Sequence, residues 1–485
     1  MKKAASFSYT AFFTLFILFI SMVLLISARS ILSLGHIAAS LLILFAVVSG
    51  FYLLTRLKSE GWLYPIVSIA SGTVFKLLCL IFLGGKMEMK YDYLTALESA
   101  RGIFAEKELI YAHWAVYPKI LAVFMKIFGS GYTQAVLFNV LISALSVLMI
   151  YLAAENAFGS KRIAFISSLI FSIWPSLNFY NLITSNEHLA ILFALFSVFF
   201  LQSALSALKE KGFRTYIFFA AAGICLGLVD FFKQFSIVFY IALGISGLIW
   251  LFIRNREITV KKLFPAAAGF MLMLGLSLGC KEAVFNMLDN YYGEPVCRSA
   301  NAHFIYMGLN STGNGVWDDR VGFDFWNLSK EYDGDYERAS KELFTVLKED
   351  IKQNTDKLPS TIRHKMLVDW SADTGVTDWV SWLYKGGSEP MPGVRILYVI
   401  SASYYFAVML LTLASGITAL RKKRFYLLLF SLISFGFALL LVLTEAQGRY
   451  QLVLFPWFSI LTAYSAVQLS DLLKAKTRHR LQLLK

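Results

Sequence analysis

Apolar residues run along this chain in long blocks separated by short polar breaks. A helix needs roughly 20 apolar residues to cross a bilayer. Blocks near that length lie at 9–28, 37–55, 65–83, 133–153, 163–178, 187–208, 216–231, 236–253, 263–280, 395–420, 425–443 and 452–472. They predict an all-α polytopic membrane protein, a bundle of about 12 transmembrane helices. The first block follows MKKAASFSYT with no small-x-small cleavage site after it, and reads as an uncleaved signal anchor.

Two longer polar interruptions divide the chain into a transmembrane region 1–280, which carries a loop 84–132, a polar domain 281–393, and a second transmembrane region 394–485. In the loop, Leu94, Leu97, Ala100 and Phe104 follow Asp92 at spacings that make one helical face apolar, with Glu98 and Arg101 opposite. A second amphipathic stretch starts at Tyr117-Pro118, where proline suits a first helical turn. Ile120, Leu121, Phe124, Met125 and Phe128 form its apolar face, against Lys119 and Lys126. Such helices lie along a membrane surface. Within 336–354, Leu343, Leu347 and Ile351 form another stripe, and tryptophans recur at Trp317, Trp326, Trp370, Trp379 and Trp382. A small ordered domain docked on the membrane is expected there. No internal repeat is visible.

Charge orients the bundle. Lys2/Lys3, Arg56/Lys58, Lys161/Arg162, Lys209/Lys211/Arg214, Arg254/Arg256/Lys261/Lys262, the basic run Arg421 to Arg424 and the tail all fall in alternate loops. The other loops hold little: Arg29, Lys233 alone, Arg449 alone. Basic residues mark the cytoplasmic side, so both termini are expected inside, and 84–132 and 281–393 outside. The net charge of +14 sits in these clusters and implies anionic lipid rather than nucleic acid. Cys79 and Cys225 lie in apolar runs as packing residues, while a Cys280–Cys297 disulfide is open if the outer side is oxidising. No CxxC or His/Cys cluster suggests a structural metal site.

Four turns on the expected outer side carry ionisable groups. Asp92 stands where a helix begins, so it caps that helix or does chemistry. Glu187, with His188 beside it, opens a span; a carboxylate there is functional or rests in the headgroup zone. Lys233 either pairs with Asp230 one turn earlier or meets a phosphate. Arg449 forks onto phosphate well, but Glu445 is four residues away and is a local partner for it. If these turns converge, they make an acid-lined, cation-ringed cavity suited to an anionic lipid headgroup.

Several segments resemble the polytopic glycosyltransferases of the GT-C fold, in particular bacterial members similar to protein mannosyltransferases and to the aminoarabinose transferase of lipid A. DYLTALESARGI resembles the family's first outer loop, with Asp92 at the catalytic acid. AVYPKILAVFMKIFGSG resembles the segment that follows it. SSLIFSIWPSLNFYNLITSNEHLAILF resembles the next outer turn, with Glu187 at its acidic position. Lys233 falls where members carry Arg or Lys, and EAQGRYQLVLFPWFSIL resembles the Arg-Tyr turn before the last span. Two departures stand out. Asp92-Tyr93 replaces the Asp-Glu pair of several members, and the Lys-Pro-Pro element of the aminoarabinose branch is absent, with Tyr117-Pro118-Lys119 nearby.

The resemblance implies inverting sugar transfer on the outer membrane face, from a polyprenyl-phosphate sugar to a glycan, lipid or protein acceptor. Asp92 and Glu187 would be catalytic, Arg449 and Lys233 would bind the lipid phosphate, and Arg101, Tyr117, His188, Glu445, Tyr306 and Asn310 would contact substrate. Trp317 joins Tyr306 and Asn310 as a contact from the polar domain. No cofactor is required, although a divalent cation beside the phosphate is compatible with the scheme. A lipid-linked oligosaccharide flippase, a glycan polymerase or ligase, and an inactive scaffold remain as alternatives.

Overall fold

The computed structural model describes residues 2–56, 62–102, 112–208, 212–253, 260–299 and 301–483. Lys58, Phe104, Lys209, Lys211, Arg254 and Arg256, used above for sidedness and patterning, lie outside the described residues. The described chain is helical, with one isolated bridge, Met87 to Tyr384, and no strand among the described residues.

All twelve apolar blocks are helical. They form α1 (Lys2–Ser33), α2 (Ile37–Leu54) and α3 (Leu63–Leu83), then, after α4 (Tyr91–Ala100) and α5 (Ala112–Phe128), α6 (Tyr132–Phe158) and α7 (Lys161–Ser172). The short α8 (Pro175–Tyr180) precedes α9 (Glu187–Ala207), α10 (Arg214–Val229), α11 (Ser236–Ile253) and α12 (Val260–Tyr292). The polar stretch folds as α13 (Asn301–Leu309), α14 (Asp319–Gly322), α15 (Asp324–Glu331), α16 (Tyr336–Gln353), α17 (Leu358–Trp370) and α18 (Thr374–Leu383). Last come α19 (Val394–Lys422), α20 (Phe425–Leu443), a 3-10 turn Gly448–Leu454 and α21 (Phe455–Leu483).

Among the described residues nine helices are long and apolar enough to cross a membrane; α10 and α11 are shorter apolar helices. The block 163–178 is not one span. Pro175 has no N–H to give and holds Trp174 extended, at φ −61° and ψ 116°, so the helix breaks there. The 12 residues of α7 then reach only about 18 Å. The break is held by the polar stretch: Asp373, at the start of α18, accepts from Trp174 Nε1 at 2.7 Å and Ser176 Oγ at 2.5 Å.

The bundle is layered. Helix α10 packs between α9 and α12, α19 between α1 and α21, and α7 between α6 and α21. The stretch 281–393 does not fold as one body. Cys297, Ala302, Tyr306, Val321, Phe325, Ala339, Leu343 and Leu347 form a small core of their own. In contrast, Trp370, Val376, Val380 and Leu383 of α17 and α18 join the main core. Of the expected stripe on α16, Leu343 and Leu347 are buried and Ile351 packs partly buried against the same core, with Asp335 capping the helix by accepting from Arg338 N at 2.9 Å. Cys280 and Cys297 are free thiols: α12 continues past Cys280 to Tyr292, and Cys297 is buried in the small core. Pro118 lies inside α5 rather than in its first turn.

Candidate active site

The chain reaches Asp92 through a latched turn. Lys90 is extended, and its Nζ donates to Gly386 O. Tyr91 takes a φ of +48°, a left-handed value that L residues rarely adopt, and its ring stacks on Trp382 at 5.6 Å. Helix α4 begins at Tyr91, with Lys90 in the cap position and no side-chain cap bond. Asp92 is therefore not the cap. It sits in the first turn, where a negative charge is favourable, with its carboxylate half exposed and on the wall of a cavity.

Arg449 faces it from the turn before α21. Its Nη2 lies 4.0 Å from Asp92 Oδ2, Nη1 donates to the Tyr93 hydroxyl, and Nε donates to Gln447 Oε1 at 2.7 Å. The guanidinium also stands 4.6 Å over Trp379 and 5.1 Å over Tyr93. At 7% exposed it is fixed on nearly every side, and stacking plus a planar fork suits arginine and not lysine. Arg449 does not pair with Glu445, whose partners are Gln447 Nε2 at 2.6 Å and the Tyr450 hydroxyl at 3.1 Å.

Glu187 and Lys233 complete the charged wall. Lys233 Nζ meets Glu187 Oε1 at 2.9 Å, and the Ser185 hydroxyl donates to the other oxygen. Asp230, the expected partner of Lys233, instead binds Lys281 Nζ at 2.7 Å and accepts from Ser236 N at 2.8 Å, capping α11. Lys233 also lies 4.7 Å over the Tyr450 ring.

Glu445, on the cavity lining, and Asp369 form a buried acid pair. Burial pushes the Glu445 carboxyl up to about 7, against the pull of its hydrogen bonds to Gln447 and Tyr450. Burial likewise raises Asp369 to about 8, opposed by Lys365 and reinforced by Glu445. Lys365 donates to Gly308 O at 2.9 Å and to Val442 O at 2.6 Å, so it closes the end of α20 and ties α13 to it.

Asp92, Tyr117, Glu187, Lys233, Glu445 and Arg449 thus line one cavity. Four expected residues lie elsewhere. Arg101 Nε donates to Ser130 O at 2.9 Å at the far end of α4. His188, one position past Glu187 on α9, is buried with its ring 5.8 Å from Tyr180. Tyr306 donates to Asp324 Oδ2 at 2.6 Å within the small core. Asn310 holds its own turn, accepting from Thr312 N at 2.8 Å. The cavity also takes Tyr93, Gln447, Tyr450, His303, Met307 and Trp326, which sequence reasoning did not select. Tyr93 had left a trace as the departure next to Asp92, Trp326 as one of the recurring tryptophans, and Gln447 and Tyr450 within the Arg-Tyr turn; the Tyr93 hydroxyl holds Arg449. Among the described residues no group of three or more His, Cys, Asp or Glu side chains is placed to hold a metal ion.

Residues 113–278 match the family of dolichyl-phosphate-mannose-protein mannosyltransferases. The match spans about a third of the chain and includes Tyr117, Glu187 and Lys233. The resemblance read from the sequence is therefore met over this region. Solved structures that the chain matches include the S. cerevisiae protein O-mannosyltransferase Pmt1–Pmt2 complex bound to the sugar donor, 16% identical over 53% of this chain and 38% of that one, with a TM-score of 0.39. The Archaeoglobus fulgidus oligosaccharyltransferase in the apo form is 12% identical over 87% of this chain and 52% of that one, at 0.46. ArnT from Cupriavidus metallidurans bound to undecaprenyl phosphate is 14% identical over 83% of this chain and 77% of that one, at 0.37. The chain spans between about two fifths and half of the length of the first two of these structures. No curated protein matches the sequence significantly.

Proposed function

We propose that this protein is an inverting glycosyltransferase that moves a sugar from a polyprenyl-phosphate donor to a lipid, glycan or protein hydroxyl on the outer face of the cell membrane. The observation that carries the reading is the meeting, in one cavity, of two acids and two cations from four separate turns: Asp92, Glu187, Lys233 and Arg449. The family match over 113–278 supports the reaction class.

In this scheme the Asp92 carboxylate takes the proton of the acceptor hydroxyl as its oxygen attacks the anomeric carbon. The bond from that carbon to the phosphate oxygen breaks, and the electron pair leaves on the lipid phosphate. A positioned base of this kind contributes about 10²–10⁴-fold in rate. Arg449 fixes the carboxylate, and together with Lys233 it meets the growing negative charge. Donor phosphate would compete with Glu187 for Lys233, which frees Glu187 to orient the acceptor. The basic loops described above support cytoplasmic termini and a cavity on the opposite side.

The test is reconstitution of the full-length protein in liposomes with polyprenyl-phosphate sugars and candidate acceptors. Glycosidic product that forms with release of polyprenyl phosphate supports the reading. Movement of the donor across the bilayer with no product would make the protein a flippase instead.

A further inference from the structure

The cavity has two unlike walls. One is the charged wall just described. The other comes from 303–326, outside the candidate spans, where His303, Phe304, Met307, Trp317 and Trp326 line it.

Trp317 is the unusual member, because it is 41% exposed yet fixed. Its Nε1 donates to Asp319 Oδ1 at 2.8 Å. Phe323 and His303 stand edge-on to it at 5.5 and 6.3 Å. One side of the indole lies on Gly322, where a Cβ would stand 2.8 Å from the ring. A held, flat, partly open aromatic face beside carboxylates and amides matches one class of ligand well. The face of an aromatic ring is electron-rich and attracts polarised C–H bonds, such as those on one side of a pyranose. The hydroxyls at the rim of that ring need acceptors, and the half-exposed Asp92 carboxylate lines the same cavity. An isoprenoid tail needs no such polar rim and would lie against the spans. An extended peptide is commonly held by an exposed sheet edge, and there is no strand among the described residues.

We propose that Trp317, flanked by His303 and Trp326, is a pyranose-stacking platform, and that the acceptor is a carbohydrate whose ring rests on it while one hydroxyl faces Asp92. This rests on the transferase reading and names its acceptor class.

The experiment uses the full chain in lipid nanodiscs and calorimetric titration with triacetylchitotriose, maltotriose, a threonine-containing heptapeptide and, in parallel, undecaprenyl phosphate. At least one oligosaccharide is expected to bind saturably. Trp317→Leu keeps apolar bulk but loses the ring face, and should weaken that binding roughly tenfold, the order of one good aromatic contact. Trp317→Phe keeps a face and should stay within about threefold. Undecaprenyl phosphate should bind both variants as it binds the wild type, which also reports that they are folded. Oligosaccharide binding unchanged in Trp317→Leu, binding of the peptide alone, or no oligosaccharide binding overturns the platform. Failure of undecaprenyl phosphate to bind the wild type would instead sink the donor reading while leaving the sugar titration interpretable.

Discussion

Arg449 stands 4.0 Å from the Asp92 carboxylate and donates to the hydroxyl of the adjacent Tyr93, so one guanidinium grips two consecutive side chains of α4. The grip aligns a residue near the start of the chain with one near its end. In the proposed reaction the two residues do different work, and substitution separates them. Asp92→Asn keeps size and removes the base, so initial rates of sugar transfer in proteoliposomes should fall by about 10²–10⁴-fold with only a small drop in unfolding temperature from the lost first-turn charge. Arg449→Lys keeps charge but cannot serve Gln447, Tyr93 and Asp92 from one ammonium, nor stack on Trp379 in the same way. Its transfer rate should also drop, and Tyr93→Phe should fall between it and the wild type. Wild-type transfer by Asp92→Asn would remove Asp92 as the base.

The Glu187–Lys233 pair has a stability consequence. Glu187 is 2% exposed and Lys233 25%, so removing the lysine strands a buried carboxylate. Breaking a buried pair from one side costs about 3–5 kcal/mol, far more than replacing both partners. Lys233→Met is therefore expected to lower the unfolding temperature in detergent clearly, and Lys233→Met with Glu187→Gln to recover most of it. Equal losses in the single and double variants would show that the pair carries no such coupling.

Much of this was legible in the sequence, for physical reasons. Long apolar blocks have few other uses, so all twelve emerged as helices, and the stripe of Leu343 and Leu347 gave the buried face of α16. Hydropathy is blind to backbone chemistry, which is why the break at Trp174-Pro175 passed as a continuous span although the proline was in view. Side-chain partners were the weakest point. Chain proximity favoured Asp230 for Lys233 and Glu445 for Arg449, yet tertiary contact gave Lys233 to Glu187 and Arg449 to Tyr93, with the nearby Gln447 rather than Glu445 as the local partner of Arg449. Asn310 and Tyr306 looked like ligand contacts because they are polar in a turn-rich segment, and each serves its own local structure.

Stability should depend on pH through the buried acids. Glu445 ionises near 4.5 when exposed and near 7 in the fold, because burial disfavours its charged form. Between those values the folded state holds a proton that the unfolded state has lost, so stability falls as pH rises through that window and levels off above it. Asp369 extends the same trend from its ordinary 3.8 to about 8. Unfolding temperature measured across this range should decline, Glu445→Gln should make the decline shallower below about 7, and Asp369→Asn should make it shallower throughout and remove the part that continues to about 8. A profile that rises with pH, or is unmoved by both substitutions, contradicts this account.

Two glycines set the spacing of the charged wall. A Cβ on Gly375 would stand 2.8 Å from Gly448 Cα, and one on Gly448 the same distance from Gly375 Cα. Neither residue has a positive φ, so alanine is conformationally allowed and the clash alone decides the outcome. The obstacle is backbone, which cannot rotate away, so α18 and the turn 448–454 must move apart. Gly448 precedes Arg449, and α18 carries Trp379 under the guanidinium and Trp382 under Tyr91. Separation would thus disturb both the cation and the strained entry to Asp92. A misplacement near 1 Å costs on the order of 10²-fold in rate, whereas overpacking costs about 1–3 kcal/mol in stability. Gly375→Ala should therefore lose transfer activity out of proportion to its modest change in unfolding temperature. Gly275→Ala in α12 is the control, because its Cβ would meet nothing within 4 Å and alanine favours a helix interior. Full activity in Gly375→Ala would mean that this contact does not position Arg449.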